Sequence, residues 1–129
     1  LKIKDESNIK VLTGKTVKEL KVDNYELMKC MDALISDYSG AAYDYLQLNR
    51  PIGYVLDDMD DYIAGFVVED IHTLIAGAEI YNFEQLESFI TDVVNGKDPF
   101  REKREKMRDY IHEYHDANSS KRLAELLGL

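Results

Sequence analysis

The feature that most constrains the fold is the stretch at residues 32–56, DALISDYSGAAYDYLQLNRPIGYVL. Residues 33–36 form an apolar run without polar alternation, which is typical of a strand buried on both faces of a parallel sheet, and residues 52–56 are expected to form the next strand. Between them, apolar residues recur at helical spacing until Pro51, and proline disfavours helix in the residue before it. The stretch therefore predicts a strand, a helix and a second strand, with a cluster of small and polar residues between the first strand and the helix.

The residues before this stretch predict a further strand and helix. Residues 8–13 form a short β-branched run closed by Gly14, which is typical of a strand. Asp23 or Asn24 is the expected N-cap of a helix that continues to about Met31. Strand, helix, strand, helix and strand in this order predict an α/β fold, a three-layer Rossmann-like parallel sheet with helices on its faces.

Beyond residue 56 the pattern predicts an acidic turn or short helix at residues 57–62, irregular structure at residues 63–81, and helices after that. One possible strand lies at residues 79–81, and three helices are expected at residues 82–94, at residues 98–115 and from Asn118 to Gly128. The length of 129 residues suits one domain. We expect an α/β part at residues 1–81 and a helical C-terminal part at residues 82–129.

Composition excludes several classes of function. The 25 acidic and 16 basic residues give a net charge of −9, whose field repels phosphate polymers, so nucleic-acid binding is not expected. No stretch approaches the roughly 18 apolar residues of a membrane span, and no signal-peptide pattern is present. The one cysteine, Cys30, is expected to be a buried apolar residue in a reducing compartment. A cytoplasmic protein is therefore expected.

The polar cluster in the opening stretch is the candidate functional site. Ligands of open α/β sheets sit outside the carboxyl ends of the strands, and a helix start offers unpaired N–H groups there. Asp37, Ser39 and Gly40 lie at such a place. Ser39 could hold a phosphate oxygen, and Gly40 could admit a ligand close to the backbone, or the segment could be only an N-cap in a tight turn. The segment matches neither a Walker loop nor GxGxxG.

Asp44 is the second candidate in this stretch. It follows Ser39 by about one helical turn, and its carboxylate could accept hydrogen bonds from a ribose diol. It could equally be a solvent-exposed acid on an amphipathic helix.

Other groups of polar side chains are weaker candidates. His112 and His115 have the spacing of a helical zinc pair, but without a third ligand they are expected to be surface residues. The acidic residues after the second strand lack calcium-loop spacing and are expected to form a solvated turn; they are Asp57, Asp58, Asp60 and Asp61. His72 lies in the irregular loop and is a candidate for contact with a ligand. No metal or cofactor is expected.

The quoted stretch also resembles a known family. Residues 32–40 (DALISDYSG), 43–46 (YDYL) and 48–52 (LNRPI) are similar to the C-terminal part of the CDP-glycerol glycerophosphotransferases, the teichoic-acid primases and polymerases of bacterial envelopes. The later segments 56–62, 65–66 and 82–86 are also similar. The resemblance spans about residues 8–127, and its specific part is residues 32–52.

The resemblance implies a GT-B fold, in which two Rossmann-like domains face each other across a cleft. This chain would then be the distal, partial C-terminal domain, and its partner would be the missing N-terminal domain. Ser39 and Gly40 would contact the pyrophosphate of CDP-glycerol or a related donor, Asp37 would shape the turn and Asp44 would reach the ribose. The alternatives are another GT-B glycosyltransferase that uses a nucleotide-sugar, and a flavodoxin-like binding domain without catalysis.

The chain departs from the family pattern at two places, and the resemblance has two further implications. Gly40 stands where the family usually has a second serine, and the loop at residues 72–77 lacks the family's proline-glycine-proline character. The family's catalytic base lies upstream of this chain, so no catalytic residue is assigned here and the chain alone is expected to be inactive. The full-length protein would work at the inner face of the cell membrane, with membrane contact only through parts outside this chain.

Overall fold

A computed structural model of the chain describes residues 8–59, 65 and 68–129. They fall into two compact units, which divide between Met31 and Asp32 and are considered separately. No helix in the described part of the chain combines the length and the apolar character that crossing a bilayer requires.

The N-terminal unit contains two short helices, α1 (Gly14–Leu20) and α2 (Asn24–Met28). The Thr13 hydroxyl caps α1 by accepting a hydrogen bond from the Thr16 N–H. The Asp23 carboxylate caps α2, as the sequence predicts, by accepting from the backbone N–H groups of Tyr25 and Glu26. Both caps satisfy N–H groups that have no acceptor within their own helix.

Two predictions for this unit are wrong. Residues 8–13 contain only an isolated bridge at Ile9 instead of a strand, because a short β-branched run becomes a strand only where a neighbour pairs with its backbone. Cys30 is exposed. Its predicted burial assumed a helix that continues to about Met31, but α2 ends at Met28, so Cys30 does not lie on the apolar face of a helix.

The second unit is built on a three-stranded parallel sheet, which confirms the predicted α/β class. Its strands are β1 (Leu34–Ser36), β2 (Ile52–Val55) and β3 (Ala78–Ile80). They lie in the order β1-β2-β3, with Leu34 beside Ile52 and Gly53 beside Ala78. Because all three run the same way, their carboxyl ends meet at one edge of the sheet.

The helices of this unit lie at positions close to those predicted. They are α3 (Gly40–Tyr45), α4 (Phe83–Val94), α5 (Arg101–Ile111) and α6 (Ser119–Leu126), with 3₁₀ turns at Leu46–Leu48 and Ile71–Leu74. The turn after α3 ends at Asn49 in the left-handed region, φ 46°, two residues before Pro51. The Asn82 side chain caps α4 by accepting from the Gln85 N–H at 3.0 Å.

The core lies on both faces of the sheet because alternate strand residues point to opposite sides. Gly53 faces α4: a Cβ there would lie 2.7 Å from Ile80 Cδ1 and 3.1 Å from the Phe89 ring. Tyr54, its neighbour in β2, therefore points to the opposite face and is buried. The other buried apolar residues are Ala42, Tyr45, Leu46, Ile52, Leu56, Ile71, Ile75, Ala76, Ile80 and Phe89.

A buried arginine fixes α5 against the segment that precedes β2. Arg104 is only 1% exposed, and its guanidinium donates both Nη groups to the Asp98 carboxylate. One of these groups also donates to the Asn49 carbonyl oxygen at 3.3 Å. The arginine therefore links the start of α5 to the turn that ends the helical segment after β1.

Candidate functional site

The turn after β1 is held by its own aspartate. Asp37 Oδ1 accepts a hydrogen bond from the Ser39 backbone N–H at 2.8 Å and a longer one from the Ser36 hydroxyl at 3.4 Å. Such a loop from an aspartate to the N–H two residues later is a common way to fix a turn. Asp37 thus acts on the shape of this segment.

Ser39 is the N-cap of α3, with extended backbone angles (φ −68°, ψ 145°). Its hydroxyl oxygen accepts from the Ala41 N–H at 3.4 Å, which is at the long limit for a hydrogen bond. Ala42 donates its N–H to the Ser39 carbonyl at 3.0 Å. The cap that the sequence analysis considered is present, but the Ala41 bond is weak enough to be exchanged for a ligand oxygen.

Gly40 is the first residue of α3 and is exposed. A Cβ built at this position meets no atom of the described residues within 4 Å. Its φ lies outside the left-handed region that favours glycine. Neither the backbone conformation nor packing by the described residues therefore requires glycine here. The open space above Gly40 is available to a ligand.

Asp44 lies in α3 four residues after Gly40, so the two positions share one face of the helix. It is exposed, while the next residue, Tyr45, turns into the core and is 1% exposed. The four residues predicted as a site, Asp37, Ser39, Gly40 and Asp44, are thus brought into one exposed region that begins at the carboxyl end of β1.

Tyr38 connects this turn to the neighbouring strand. Its hydroxyl donates to Asp58 Oδ1 at 2.9 Å, two residues beyond the buried Leu56 that follows β2. This bond was not predicted from the sequence. Tyr38 has a long side chain with a terminal hydroxyl and follows the end of a strand. Because the carboxyl end of the next parallel strand lies about 5 Å away, a hydrogen bond to a residue there could have been predicted.

The region is acidic, and its own hydrogen-bond donors are uncharged. Residues 32–49 contain no lysine or arginine, and Asp57 and Asp58 follow β2 at the same edge of the sheet. The groups that could hold an anion there are the Ser39 hydroxyl and the N–H groups at the start of α3. A diphosphate bound at this place would need further positive charge from outside these residues.

The candidate metal ligands do not form a metal site in the described residues. No group of three or more His, Cys, Asp or Glu side chains in this part of the chain is arranged to hold an ion. Asp60 and Asp61 lie outside the described residues. His112 Nε2 lies 2.9 Å from the Tyr43 carbonyl oxygen, and His115 Nδ1 lies 3.4 Å from Gln47 Oε1. The two histidines therefore contact the segment around α3.

His72 lies at the opposite edge of the sheet from Ser39. Its Nδ1 is 3.1 Å from Glu79 Oε2, which also accepts from the Tyr81 hydroxyl at 2.7 Å. Glu79 belongs to β3, two strands and therefore about 10 Å across the sheet from β1. The structure does not bring His72 together with the other candidate residues.

Clefts occur at both ends of the sheet. One of about 320 Å³ lies at the amino ends of β2 and β3, where Pro51, Ala78 and Arg104 line it. A smaller one of about 220 Å³ lies at the carboxyl ends and includes Asp57 and Asn82. Since ligands of open α/β sheets bind beyond the carboxyl ends, the position of the larger cleft does not favour it as the main ligand site.

Comparisons with known proteins agree on one family. Residues 3–128 match the family model described as CDP-Glycerol:Poly(glycerophosphate) glycerophosphotransferase. The chain is 35% identical over 80 residues to the teichoic acid poly(ribitol-phosphate) polymerase of Bacillus spizizenii, covering 50% of this chain and 13% of that protein.

Two relatives from Staphylococcus aureus match a larger part of the chain. The teichoic acid ribitol-phosphate polymerases TarK and TarL are each 29% identical to the chain, over 101 and 103 residues. These matches cover 78% and 79% of this chain, and 19% and 18% of the relatives. The chain therefore spans less than one fifth of the length of the curated relatives that it matches.

Proposed function

Because the chain belongs to the CDP-glycerol:poly(glycerophosphate) glycerophosphotransferase family, we propose that it is the donor-binding part of a polyol-phosphate transferase. The whole enzyme transfers glycerol phosphate from CDP-glycerol to an acceptor hydroxyl. It does so in the synthesis of teichoic acid or a related envelope polymer. The chain is one partial nucleotide-binding domain, with its α/β part at residues 1–81 and its helical part at residues 82–129.

The proposed reaction is a displacement at phosphorus. The acceptor oxygen forms a new bond to the phosphorus that carries glycerol, and the bond from this phosphorus to the CMP oxygen breaks. CMP leaves, and the acceptor proton passes to a base outside this chain. Residues 37–44 hold the leaving nucleotide, which places the reacting phosphorus and offers hydrogen bonds where charge develops.

The single observation that supports this assignment best is the local geometry of the α3 start. Asp37 fixes the Ser39 N–H, the bond from Ala41 to the Ser39 hydroxyl is long, and the space above Gly40 is open. This turn can present a hydroxyl and backbone N–H groups to a pyrophosphate without rearrangement of the helix. Asp44, on the same face as Gly40, is at a suitable place for the ribose hydroxyls.

The acidic surroundings imply that this chain does not bind the donor strongly alone. Its uncharged donors do not offset the charge of a diphosphate near Asp37, Asp57 and Asp58. The compensating cations belong to the remaining polypeptide, which we propose to be the facing GT-B domain. That domain also supplies the catalytic base, so the 129-residue chain is inactive by itself.

A second donor is favoured by the names of the relatives. All three are described as ribitol-phosphate polymerases, so a CDP-linked ribitol is the alternative to CDP-glycerol. Competition by the two CDP-polyols for the full-length enzyme separates them. Displacement by UDP-sugars instead would indicate a nucleotide-sugar glycosyltransferase, and the absence of any nucleotide binding would indicate a non-catalytic flavodoxin-like domain.

The membrane location is part of the same proposal. The full-length enzyme is expected at the cytoplasmic face of the membrane, held there by segments outside this chain. Fractionation of cells that express either the full-length protein or residues 1–129 tests it. The full-length protein should sediment with membranes, and the 129-residue chain should not.

The test of the nucleotide site is a pair of cap substitutions in the full-length enzyme. Ser39→Ala should weaken CDP binding by roughly tenfold, because a hydroxyl bonded to a charged oxygen contributes about 1.5 kcal/mol. Thr13→Ala is the matched control, since it removes a helix cap of the same kind on α1. Calorimetry that finds unchanged CDP affinity in Ser39→Ala contradicts the proposal.

A further inference from the structure

Helix α5 lies beside the segment that carries the candidate site. Its buried Arg104 donates to the Asn49 carbonyl oxygen at 3.3 Å, and Glu105 accepts from the Asn49 side-chain amide at 2.8 Å. Beyond the other end of α5, His112 Nε2 lies 2.9 Å from the Tyr43 carbonyl oxygen. Later residues of α5 thus meet earlier residues of the segment, so α5 follows this segment back from its end toward α3.

The contact at His112 is a hydrogen bond from the imidazole ring to the backbone of α3. A carbonyl oxygen can only accept, so Nε2 carries the proton and donates it. The backbone N–H of His112 donates to the Arg108 carbonyl oxygen at 2.7 Å, which fixes the histidine to the last turn of α5. Tyr43 directly precedes Asp44, the candidate for the ribose hydroxyls. His112 therefore holds α3 at the residue next to that carboxylate.

Helix α3 is short enough to depend on contacts with other elements. It has six residues, and isolated helices of twice this length are marginal in water without tertiary packing. The N-cap bond from the Ala41 N–H to the Ser39 hydroxyl is 3.4 Å long and therefore weak. Six residues rise only about 9 Å along a helix axis, so a displacement at Tyr43 reaches Gly40 within one turn.

The buried residues of α3 do not fix its orientation by themselves. Ala42 and Tyr45 anchor the inner side of the helix through apolar contacts. Such contacts are non-directional, so they resist separation of the helix from the core more than a small rotation about its axis. A hydrogen bond to a backbone carbonyl depends on direction as well as distance. The bond from His112 to Tyr43 is therefore suited to set this rotation.

We propose that His112 is a positioning residue for the nucleotide site and acts through the backbone of Tyr43. Its hydrogen bond sets the orientation of α3, and thereby the places of Asp44 and of the N–H groups at the helix start relative to a bound nucleoside diphosphate. This inference rests on the proposed function. It makes α5 part of the binding unit, although His112 itself does not need to touch the ligand.

His115 offers a comparison within the same segment. Its Nδ1 lies 3.4 Å from Gln47 Oε1, and its Nε2 lies 3.6 Å from Asp109 Oδ1. Both partners are exposed side chains, and a contact with an exposed side chain does not fix the backbone of a helix. Removal of His115 is therefore the matched control for removal of His112.

Calorimetry with CDP on the full-length enzyme tests the role of His112. His112→Leu keeps most of the volume and removes the donor, and it should raise the Kd for CDP about fivefold, as expected for one net hydrogen bond. The stoichiometry of binding should stay at the wild-type value. A purely structural role would instead lower the stoichiometry, because fewer molecules are folded, and leave Kd unchanged.

Two further variants complete the calorimetric test. His112→Gln should bind CDP with the wild-type affinity, because the side-chain amide nitrogen of glutamine can donate in place of Nε2. His115→Leu should also bind with the wild-type affinity. The inference is overturned by unchanged Kd in His112→Leu, by a loss that His112→Gln does not restore, or by equal losses in His112→Leu and His115→Leu.

Hydrogen exchange measured by mass spectrometry gives a readout that does not depend on CDP. In the full-length enzyme without nucleotide, peptides that cover residues 40–46 should exchange about fivefold faster in His112→Leu than in the wild type. His115→Leu should exchange at the wild-type rate. Unchanged exchange at residues 40–46 in His112→Leu would overturn the inference, because His112 would then not hold α3.

The two readouts also separate this inference from the proposed function. A wild-type enzyme that does not bind CDP would refute the proposed function, and with it the role of His112 in nucleotide binding. Faster exchange at residues 40–46 in His112→Leu would in that case still support the hold of His112 on α3. A wild-type enzyme that binds CDP, together with unchanged Kd in His112→Leu, would refute only the positioning role.

Discussion

The Asp37 carboxylate accepts a hydrogen bond from the Ser39 N–H at 2.8 Å, and this bond sets the direction in which the chain leaves β1. The same carboxylate lies beside the segment that we propose to hold a diphosphate, where its charge is unfavourable. Asp37 therefore contributes through the shape of the turn and opposes binding through its charge. These two effects can be separated by substitution.

Asp37→Asn should bind CDP as tightly as the wild-type enzyme or up to about tenfold more tightly. The amide oxygen can still accept the Ser39 N–H, while the negative charge is removed. Asp37→Ala should bind CDP more weakly, because the turn loses its acceptor and the Ser39 N–H is no longer fixed. Calorimetry on the full-length enzymes gives both affinities. Equal weakening in the two variants would show that the charge itself is needed and would contradict the shape argument.

Gly40→Ser should tighten CDP binding by a few-fold. The family pattern usually has a serine here, and no described atom lies within 4 Å of the added Cβ. The new hydroxyl can donate to a phosphate oxygen, which contributes about 1 kcal/mol. Gly40→Ala is the matched control, because it adds the Cβ without the hydroxyl, and it should bind CDP more weakly than Gly40→Ser by the same few-fold. If alanine and serine both weaken binding, the ligand needs the bare backbone at Gly40.

The central strand–helix–strand segment could be predicted from sequence because several signals agree there. Residues 33–36 are apolar without alternation, and Pro51 separates the helix from the second strand at residues 52–56. In the structure these signals correspond to β1, α3 and β2. The Asn82 cap and the start of α4 were predictable for a similar reason, since an N-cap residue acts locally and needs no distant partner.

Predictions that depended on distant partners were less successful. The run at residues 8–13 has strand propensity, but a strand forms only beside a neighbour, and sequence spacing does not supply one. The burial of Arg104 was also missed, because the segment from Arg101 to Arg108 has the composition of a solvated helix face. Its burial depends on Asp98 and on the Asn49 carbonyl, 55 residues earlier in the chain.

The place of the candidate residues in the fold was predictable from the sequence, whereas their role as a ligand site stays a prediction. The end of an apolar strand followed by Asp, Ser and Gly indicates a ligand site at the carboxyl edge of a sheet, and the structure places those residues there. Residues 32–49 contain no lysine or arginine, so this segment does not indicate which groups would neutralise a bound diphosphate. Such groups would have to come from residues that face this turn.

Tyr54→Phe should make the free energy of unfolding of the chain less sensitive to alkaline pH. Burial raises the pKa of Tyr54 to about 12, against about 10 for an unfolded tyrosine. The folded state therefore favours the protonated phenol: its contribution is complete below pH 10 and is lost as the pH rises from 10 to 12. Between neutral pH and pH 11, the free energy of unfolding should fall by about 1.4 kcal/mol more in the wild-type chain than in Tyr54→Phe.

Urea unfolding at pH 8, 9, 10 and 11 measures this difference. Tyr110→Phe is the control, because Tyr110 is 79% exposed and its removal should leave the pH dependence unchanged. Burial also raises the pKa values of Tyr43 and Tyr45, so Tyr54→Phe should reduce the alkaline loss without abolishing it. Identical pH profiles for the wild-type chain and Tyr54→Phe would show that the Tyr54 hydroxyl is not buried in solution.

Arg104→Ala should destabilise the chain by about 3–5 kcal/mol, because it leaves Asp98 without its partner and opens a cavity between α5 and the Asn49 turn. The double variant Arg104→Met, Asp98→Asn should recover much of this loss, since it removes both charges and keeps most of the volume. Arg101→Ala is the control: its ion pair with Glu105 is exposed and should contribute less than about 1 kcal/mol. Denaturant unfolding of the three variants measures these differences. If Arg104→Ala costs no more than Arg101→Ala, the ion pair does not hold α5 in place, and the link between α5 and the segment before β2 must depend on apolar packing.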